Sequence, residues 1–440
     1  MTKPIHTYLD LDVVNNNLNS NTNAPQLRFE ENRNTPFLEG DSNEYFCSIV
    51  RFSIQTGNSL PIFIPRVMTG QTDINKTVYG VGMSVDVNHV DQPAKAAVPA
   101  FAGTAAVAAT GTTPAIPAVP ATPAMPATQD IPATTATYQG PMTNLSYSSP
   151  DSVADVPQPP LVQQDFTGTY YYQYNIKDIV QMFNAGLAAA WAAFPDSIPA
   201  TSPTGIPELD LKQRLKKTVA PYFQYDYDKC RLVLSVDQIL VSGPYDYGTY
   251  TASVYFNTRF YELLSGLPCI RRNRTGDLNY QSTPDTTSTV GVKDKDGYPH
   301  TMYQTSQEVS SLAMRNPIAS VVFCTGMLPI ISTNTSVPIT YGGFSNDTLA
   351  SNGNNSNLTN IISDFEIAVS DTNQYRPIIV YNPGSEYRLM DMHSSVNLNK
   401  IDISVIWKTQ YGDLVPLRLQ PGCAAHIKLM FRHKTFYLGY

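Results

Sequence analysis

At 440 residues the chain exceeds a typical single domain of roughly 100 to 200 residues, so two β domains, or one domain with a large insertion, are expected around a sizeable core. Only 15% of its residues are charged, and Tyr, Asn, Thr, Ser and Pro are abundant, which suits strands joined by many turns and excludes a helical bundle. The formal net charge is −7, and near the N-terminus Lys3, Arg28 and Arg33 are outweighed by Asp10, Asp12, Glu30, Glu31 and Glu39, so no basic arm offers direct nucleic-acid binding.

Residues 1–42 are polar and Asn-rich, with separated apolar touches at Leu9, Leu11, Val13, Phe29 and Phe37. The pattern predicts an extended arm whose five apolar residues are candidate assembly contacts with a neighbouring subunit, where the partner offsets the entropy of ordering. On this reading, removal of residues 1–38 leaves a folded protein that no longer assembles. The first strong strand spans 44–54, with Phe46, Val50, Phe52 and Ile54 alternating imperfectly with polar residues. A Pro-bounded edge strand is expected at 60–65 and another strand at 78–87. From 93 to 137 the chain is nearly all Ala, Pro, Thr and Val, which forbids a helix or central strand and predicts a surface loop. Both an exterior protrusion and a tolerated insertion fit it.

Residues 170–176 read as a strand entering one amphipathic helix over 176–194. There Ile176, Ile179, Val180, Phe183, Leu187, Ala190, Trp191 and Phe194 recur at helical spacing and Pro195 ends the run. A hairpin follows at 222–227 and 230–236, then a strand at 251–256 and a short helix at 259–265 stopped by Gly266 and Pro268. Residues 271–301 form a polar linker ending in the hairpin-turn tetrapeptide Asp294-Lys-Asp-Gly297. Strands are then expected at 317–326, 363–369, 377–381, 386–392, 401–408, 414–419 and 424–433. In the clearest of these Ile401, Ile403, Val405 and Trp407 face one way, as do Ala425, Ile427, Leu429 and Phe431. Strands at about ten-residue spacing make an antiparallel sandwich.

No familiar catalytic or phosphate-binding motif is present, so no catalytic, cofactor or metal residues are assigned. The six histidines are isolated in sequence, and His426 and His433 fall on opposite faces of one strand. Asp364 and Glu366 share a strand face, which a solvated surface explains without a carboxylate pair. Arg271-Arg-Asn-Arg274 reads as a subunit contact or a solvated turn. Cys47, Cys230, Cys269, Cys324 and Cys423 fall in no zinc or C-x-x-C spacing and read as reduced thiols. Neither a signal peptide nor a run near the roughly 18 apolar residues of a membrane span is visible, so synthesis in the cytosol is expected.

Two stretches carry more than composition. One joins Leu27-Arg-Phe-Glu-Glu-Asn-Arg-Asn-Thr-Pro-Phe-Leu38 to Glu44-Tyr-Phe-Cys-Ser-Ile-Val-Arg-Phe-Ser-Ile54 and Leu60-Pro-Ile-Phe-Ile-Pro65. The other runs from Asn316-Pro-Ile-Ala-Ser-Val-Val-Phe-Cys-Thr-Gly326 through Ile401-Asp-Ile-Ser-Val-Ile-Trp407 and Leu419-Gln-Pro-Gly422 to Lys428-Leu-Met-Phe-Arg432. Together they resemble the minor capsid, or penton, proteins of polinton-like and adintovirus-type double-stranded DNA viruses, in the lineage of virophages and adenoviruses. The resemblance implies a virion protein, a jelly-roll subunit assembled as a pentamer at capsid vertices. Its partners would be copies of itself, neighbouring capsid proteins and a host receptor or fibre.

A double jelly-roll major capsid protein, which is trimeric, is the alternative within this class. From another class, a receptor- or carbohydrate-binding β-sandwich is the alternative, although Trp191 and Trp407 both sit in patterns that read as buried. The expected fold is all-β, one or more antiparallel jelly-roll sandwiches, in two β regions with the helix in the first. Its divisions are an arm at 1–42, a first region at 43–270 carrying the loop 93–137, a linker at 271–301 and a second region at 302–440.

Overall fold

The computed structural model describes residues 5–17, 24–56, 59–91, 133–150, 155–162, 164–166, 168–274, 277–311, 315–331, 333–334, 358–367, 378–383, 388–410 and 412–436, with isolated positions between 102 and 123. The first strands are β1 His6–Val14, β2 Arg28–Asn32, β3 Tyr45–Gln55, β4 Lys76–His89, β5 Thr134–Gln139 and β6 Thr143–Ser146. Helices α1 Ile176–Ala193 and α2 Leu209–Lys216 precede the hairpin β7 Tyr222–Asp226 and β8 Arg231–Asp237. The turn of helix α3 Gln238–Val241 leads into β9 Ser242–Tyr245, β10 Gly248–Asn257 and helix α4 Thr258–Leu263. Two hairpins follow, β11 Cys269–Arg274 with β12 Asp277–Ser282, and β13 Thr289–Lys293 with β14 Pro299–Ser306. The chain continues through β15 Ile318–Thr325, β16 Thr333–Asn334, β17 Leu358–Phe365, β18 Ile378–Tyr381 and β19 Met390–Asp391. It ends with β20 Lys400–Thr409, β21 Leu414–Pro416 and β22 Ala424–His433.

The two ends of the chain build one antiparallel sandwich. One sheet has the order β1-β22-β3-β18, with β19 also on β3; the other has the order β16-β17-β15-β20-β2, with β21 also on β20. Alternating apolar residues turn inward from both sheets, and their rings meet in the middle. Phe52 of β3 stands edge-on to Phe323 of β15 at 5.0 Å between centroids and to Phe29 of β2 at 6.5 Å. The imperfect alternation of the 44–54 run has a physical cause in a β-bulge. Lys428 of β22 faces Arg51 while Leu429 faces Ile49, so Val50 is the extra residue. The inward positions of β3 therefore switch parity, burying Cys47 and Ile49 before the bulge and Phe52 and Ile54 after it, while Phe46 and Val50 stay half-buried. The sequence expectation had Phe46 and Val50 inward; the bulge corrects it.

The middle of the chain forms a second unit inserted between β3 and β15. Its sheets have the orders β11-β12-β10-β4-β5, with β6 on β4 and β9 on β10, and β13-β14-β8-β7. Helix α1 starts where the Asn175 side chain accepts a hydrogen bond from the Asp178 N–H, and it buries Ile179, Met182, Phe183, Leu187 and Ala190. A Cβ at Gly186 would stand 1.8 Å from Leu145 Cδ2, so only glycine lets the helix lie this close to β6. Phe183 packs edge-on to Phe260 of α4 at 4.9 Å and to Phe223 of β7 at 6.0 Å, which ties helix and sheets into one aromatic core. That core is continuous with the terminal sandwich, where Tyr172 meets Trp407 at 5.9 Å.

The all-β antiparallel class and the helix over 176–194 hold, and four of the sequential divisions are corrected. The region 43–270 is split, because β3 pairs with β22, β18 and β19 rather than with its sequence neighbours. The arm 1–42 is woven into the sandwich, β1 on β22 over nine residue pairs and β2 on β20 over five. The linker 271–301 contains β12, β13 and parts of β11 and β14. These strands look polar because β13 alternates exposed with half-buried positions and contributes no fully buried side chain. The end of the loop 93–137 is strand β5; most of the rest of that loop lies outside the described residues.

Smaller differences follow the same logic. The 170–176 run is a 3-10 turn at Thr169–Tyr171 and then the single bridge Phe63↔Gln173, which is also all that pairs in 60–65. The 386–392 strand is reduced to β19, and residues 384–387 lie outside the described set.

Because β4 and β5 pair as far as His89↔Thr134, the bases of the Ala/Pro segment lie side by side. Deleting Lys95 to Pro132 is therefore expected to leave a soluble chain that melts cooperatively near the parent's midpoint. An insoluble product, or a broadened melt, would place the segment in the core.

The two stretches around Asn316–Gly326 and Ile401–Trp407 meet at one buried carboxylate. Asp402 accepts hydrogen bonds from Thr325 Oγ1 at 2.9 Å, the Gly326 N–H at 3.0 Å, the Met327 N–H at 2.7 Å and Arg28 Nη2 at 3.2 Å. It thereby holds β2, β20 and the turn after β15 together. Asp402→Asn puts an NH2 group among donors and removes the charge, and is expected to cost about 2 kcal/mol in a urea unfolding curve. A variant with the parent's midpoint and slope would contradict this.

Candidate assembly surfaces

The predicted contact residues do not face outward. Leu9 and Leu11 of β1 lie opposite Leu429 and Ile427 of β22, and directly paired residues share a sheet face. All four are buried, Phe29 of β2 is fully buried, and Val13 and Phe37 pack half-buried against the same core. Arg33 lies over the Phe37 ring at 4.8 Å. Leu9, Leu11, Val13 and Phe29 pair with this chain's own C-terminal strands and Phe37 packs against the same core, which corrects their reading as contacts held in reserve for a neighbour. The cause is the matched alternation of positions 9, 11 and 13 with 425, 427 and 429, which sequence separation concealed.

The opposite face of the same strands is charged. Asp10 receives Lys428 Nζ at 3.1 Å, with Arg51 Nη2 at 3.9 Å, and Asp12 pairs with His426 Nδ1 at 2.7 Å. Exposed pairs of this kind contribute little stability, so the ladder is a polar outer surface that salt screens.

Apolar surface is presented elsewhere. Leu161 is 81% and Val162 89% exposed, on a loop stiffened by Pro157, Pro159 and Pro160 and anchored where the Gly70 N–H donates to the Pro160 carbonyl at 2.8 Å. Two adjacent, held-out apolar side chains differ from the scattered single ones of an ordinary surface. Ile378 and Val380 are exposed on β18, the last strand of its sheet among the described residues. An unpaired strand edge with apolar side chains is a template for another chain.

Three histidines with buried side chains pair with carboxylates. His89 Nε2 and Glu208 Oε1 are 2.7 Å apart and fully buried, with the Tyr138 hydroxyl donating to the same oxygen at 3.0 Å. His300 Nδ1 lies 2.8 Å from Asp237 Oδ2, and His433 Nε2 lies 3.3 Å from Glu44 Oε2. His89, His300 and His433, isolated in sequence, thus have carboxylate partners in space; a spacing of 119 residues between His89 and Glu208 leaves no motif to find. Asp364 pairs with Arg388 at 3.3 Å on the surface, Glu366 is exposed, and Arg271 and Arg272 are exposed on β11. Burial pushes the thiol of Cys47 up to about 12. Among the described residues no group of three His, Cys, Asp or Glu is placed to hold a metal, and no helix is long and apolar enough to cross a membrane.

Comparison with known proteins identifies the architecture. The structural protein V19 of Sputnik virophage is 28% identical over 157 residues, which is 36% of this chain and 64%, just under two thirds, of that relative. A chain of the cryo-EM structure of the Sputnik virophage superposes with a TM-score of 0.65 at 20% identity, covering 100% of both chains. The mavirus penton protein superposes with a TM-score of 0.51 at 12% identity, covering 97% of this chain and 99% of that one. The two structural likenesses show a shared fold. The model of the Sputnik minor capsid protein V18/19 family matches residues 7–433, from β1 to the last residue of β22, and the chain belongs to that family.

Proposed function

We propose that this protein is the penton subunit of a virus shell, a non-enzymatic component of the virion that assembles as a pentamer at the vertices and contacts neighbouring capsid proteins there. The observation that carries this reading is the family match across residues 7–433, supported by the full-length likeness of fold to a mavirus penton chain. The surfaces agree with it in kind. Function by assembly needs outward apolar contacts on a rigid scaffold, and Leu161, Val162, Ile378 and Val380 supply them.

The test is imaging of the purified oligomer together with a surface variant. Five-fold particles are expected, and the double substitution Leu161→Asp, Val162→Asp is expected to melt like the parent yet sediment as a smaller species. Three-fold particles would favour the major capsid alternative, and a monomer that turns over a substrate would overturn the structural reading.

A further inference from the structure

A cavity of about 150 Å³ opens where the chain crosses between its two units. Phe63, Ile64 and Arg66 line it from the crossing that leaves β3, and Arg315, Asn316 and Pro317 from the crossing that returns to β15. At its wall Arg315 is only 3% exposed, yet its Nη1 and Nη2 atoms have no hydrogen-bond partner among the described residues. Its Nε alone is engaged, donating to the Ser311 carbonyl at 3.4 Å. Burial accordingly pulls the guanidinium down to about 10. A buried charge without a partner is among the costliest features a fold can hold, so its setting points to a missing anion.

The rest of the lining supports that sign. Arg66 and Arg259 add positive charge at exposed positions, against a single carboxylate, that of Glu262, which pairs with Arg259 at 3.4 Å. Other polar groups around the cavity are occupied. The Asn316 side chain bonds Ile318, and the Thr409 hydroxyl donates to Asp413 Oδ2 at 3.2 Å. The cavity exceeds the about 30 Å³ that a water occupies in the liquid, and a guanidinium with two free amino groups matches two oxygens of one anion.

We infer that this cavity is a binding site for one small oxoanion, held by Arg315 with Arg66 and Arg259. The anion would be either free phosphate or a carboxylate presented by a neighbouring chain. Because its lining comes from both crossings, an occupant would tie the inserted unit to the terminal sandwich.

The test is calorimetric titration of the full-length chain with inorganic phosphate and with acetate at constant ionic strength, paired with thermal melts. One saturable site is expected, accompanied by a rise in melting temperature. Arg315→Met should weaken binding at least tenfold and abolish the anion-dependent rise, while melting no lower than the parent without anion, because it removes an unpaired charge. Phosphate binding that acetate does not displace identifies free phosphate, and displacement by acetate identifies a carboxylate; either supports the site. Glu262→Gln, half-exposed and outside the core, should tighten binding about threefold by removing repulsion, and it decides the matter if Arg315→Met does not fold. Absence of saturable binding of both anions, an Arg315→Met variant that binds like the parent, or a Glu262→Gln variant of unchanged affinity would overturn the inference.

Discussion

Removal of residues 1–38 is expected to prevent folding, not merely assembly. The truncation takes away β1, which pairs with β22 over nine residues, and β2, which pairs with β20 over five. It also strips Leu9, Leu11, Leu27, Phe29 and Leu38 from the core. At roughly 1.5 to 3 kcal/mol for each buried side chain, the loss is on the order of 10 kcal/mol, comparable with the whole stability of a typical fold. The exposed edges of β20 and β22 would add a route to aggregation. Circular dichroism and soluble recovery check this. A truncated chain with the parent's cooperative melt would restore the independent arm, whereas Phe29→Ala in the intact chain should show the same cause at smaller scale, about 3 to 5 kcal/mol.

The second large effect is expected at Trp407. Its side chain is 1% exposed on β20, opposite Val321 of β15 and Val415 of β21, and its ring meets Tyr172 edge-on at 5.9 Å. Tyr172 is itself fixed by donating its hydroxyl to the Phe166 carbonyl at 2.8 Å, so the pocket cannot simply collapse onto a smaller side chain. Trp407→Ala should cost about 3 to 5 kcal/mol from lost burial and the cavity left behind. Because the ring joins the terminal sandwich to the segment entering α1, loss of cooperativity between the two units should accompany the lower urea midpoint. A variant as stable as the parent would mean that the ring contributes little to the core.

Elements whose signals are local could be read from the chain alone. Strict alternation marked β20 and β22, a 3.6-residue stripe marked α1, and Asp294-Lys-Asp-Gly297 marked the turn between β13 and β14. There Gly297 takes φ +87° and Asp294 Oδ1 accepts from the N–H groups of Asp296 and Tyr298. The capsid family was legible too, since the runs Asn316–Gly326 and Ile401–Trp407 that carried the resemblance lie within the 7–433 span of the family match.

Which strand each one meets emerges only from long-range pairing. Leu9 and Phe29 looked like loose anchors since their partners, Leu429 and Ile403, lie some hundreds of residues away, and alternation reports a buried face without naming what buries it. The Val50 bulge, the His89–Glu208 pair and the buried Arg315 share this origin. Each depends on the environment that distant segments create around a side chain, and desolvation and pairing are properties of that environment rather than of the residue's neighbours in sequence.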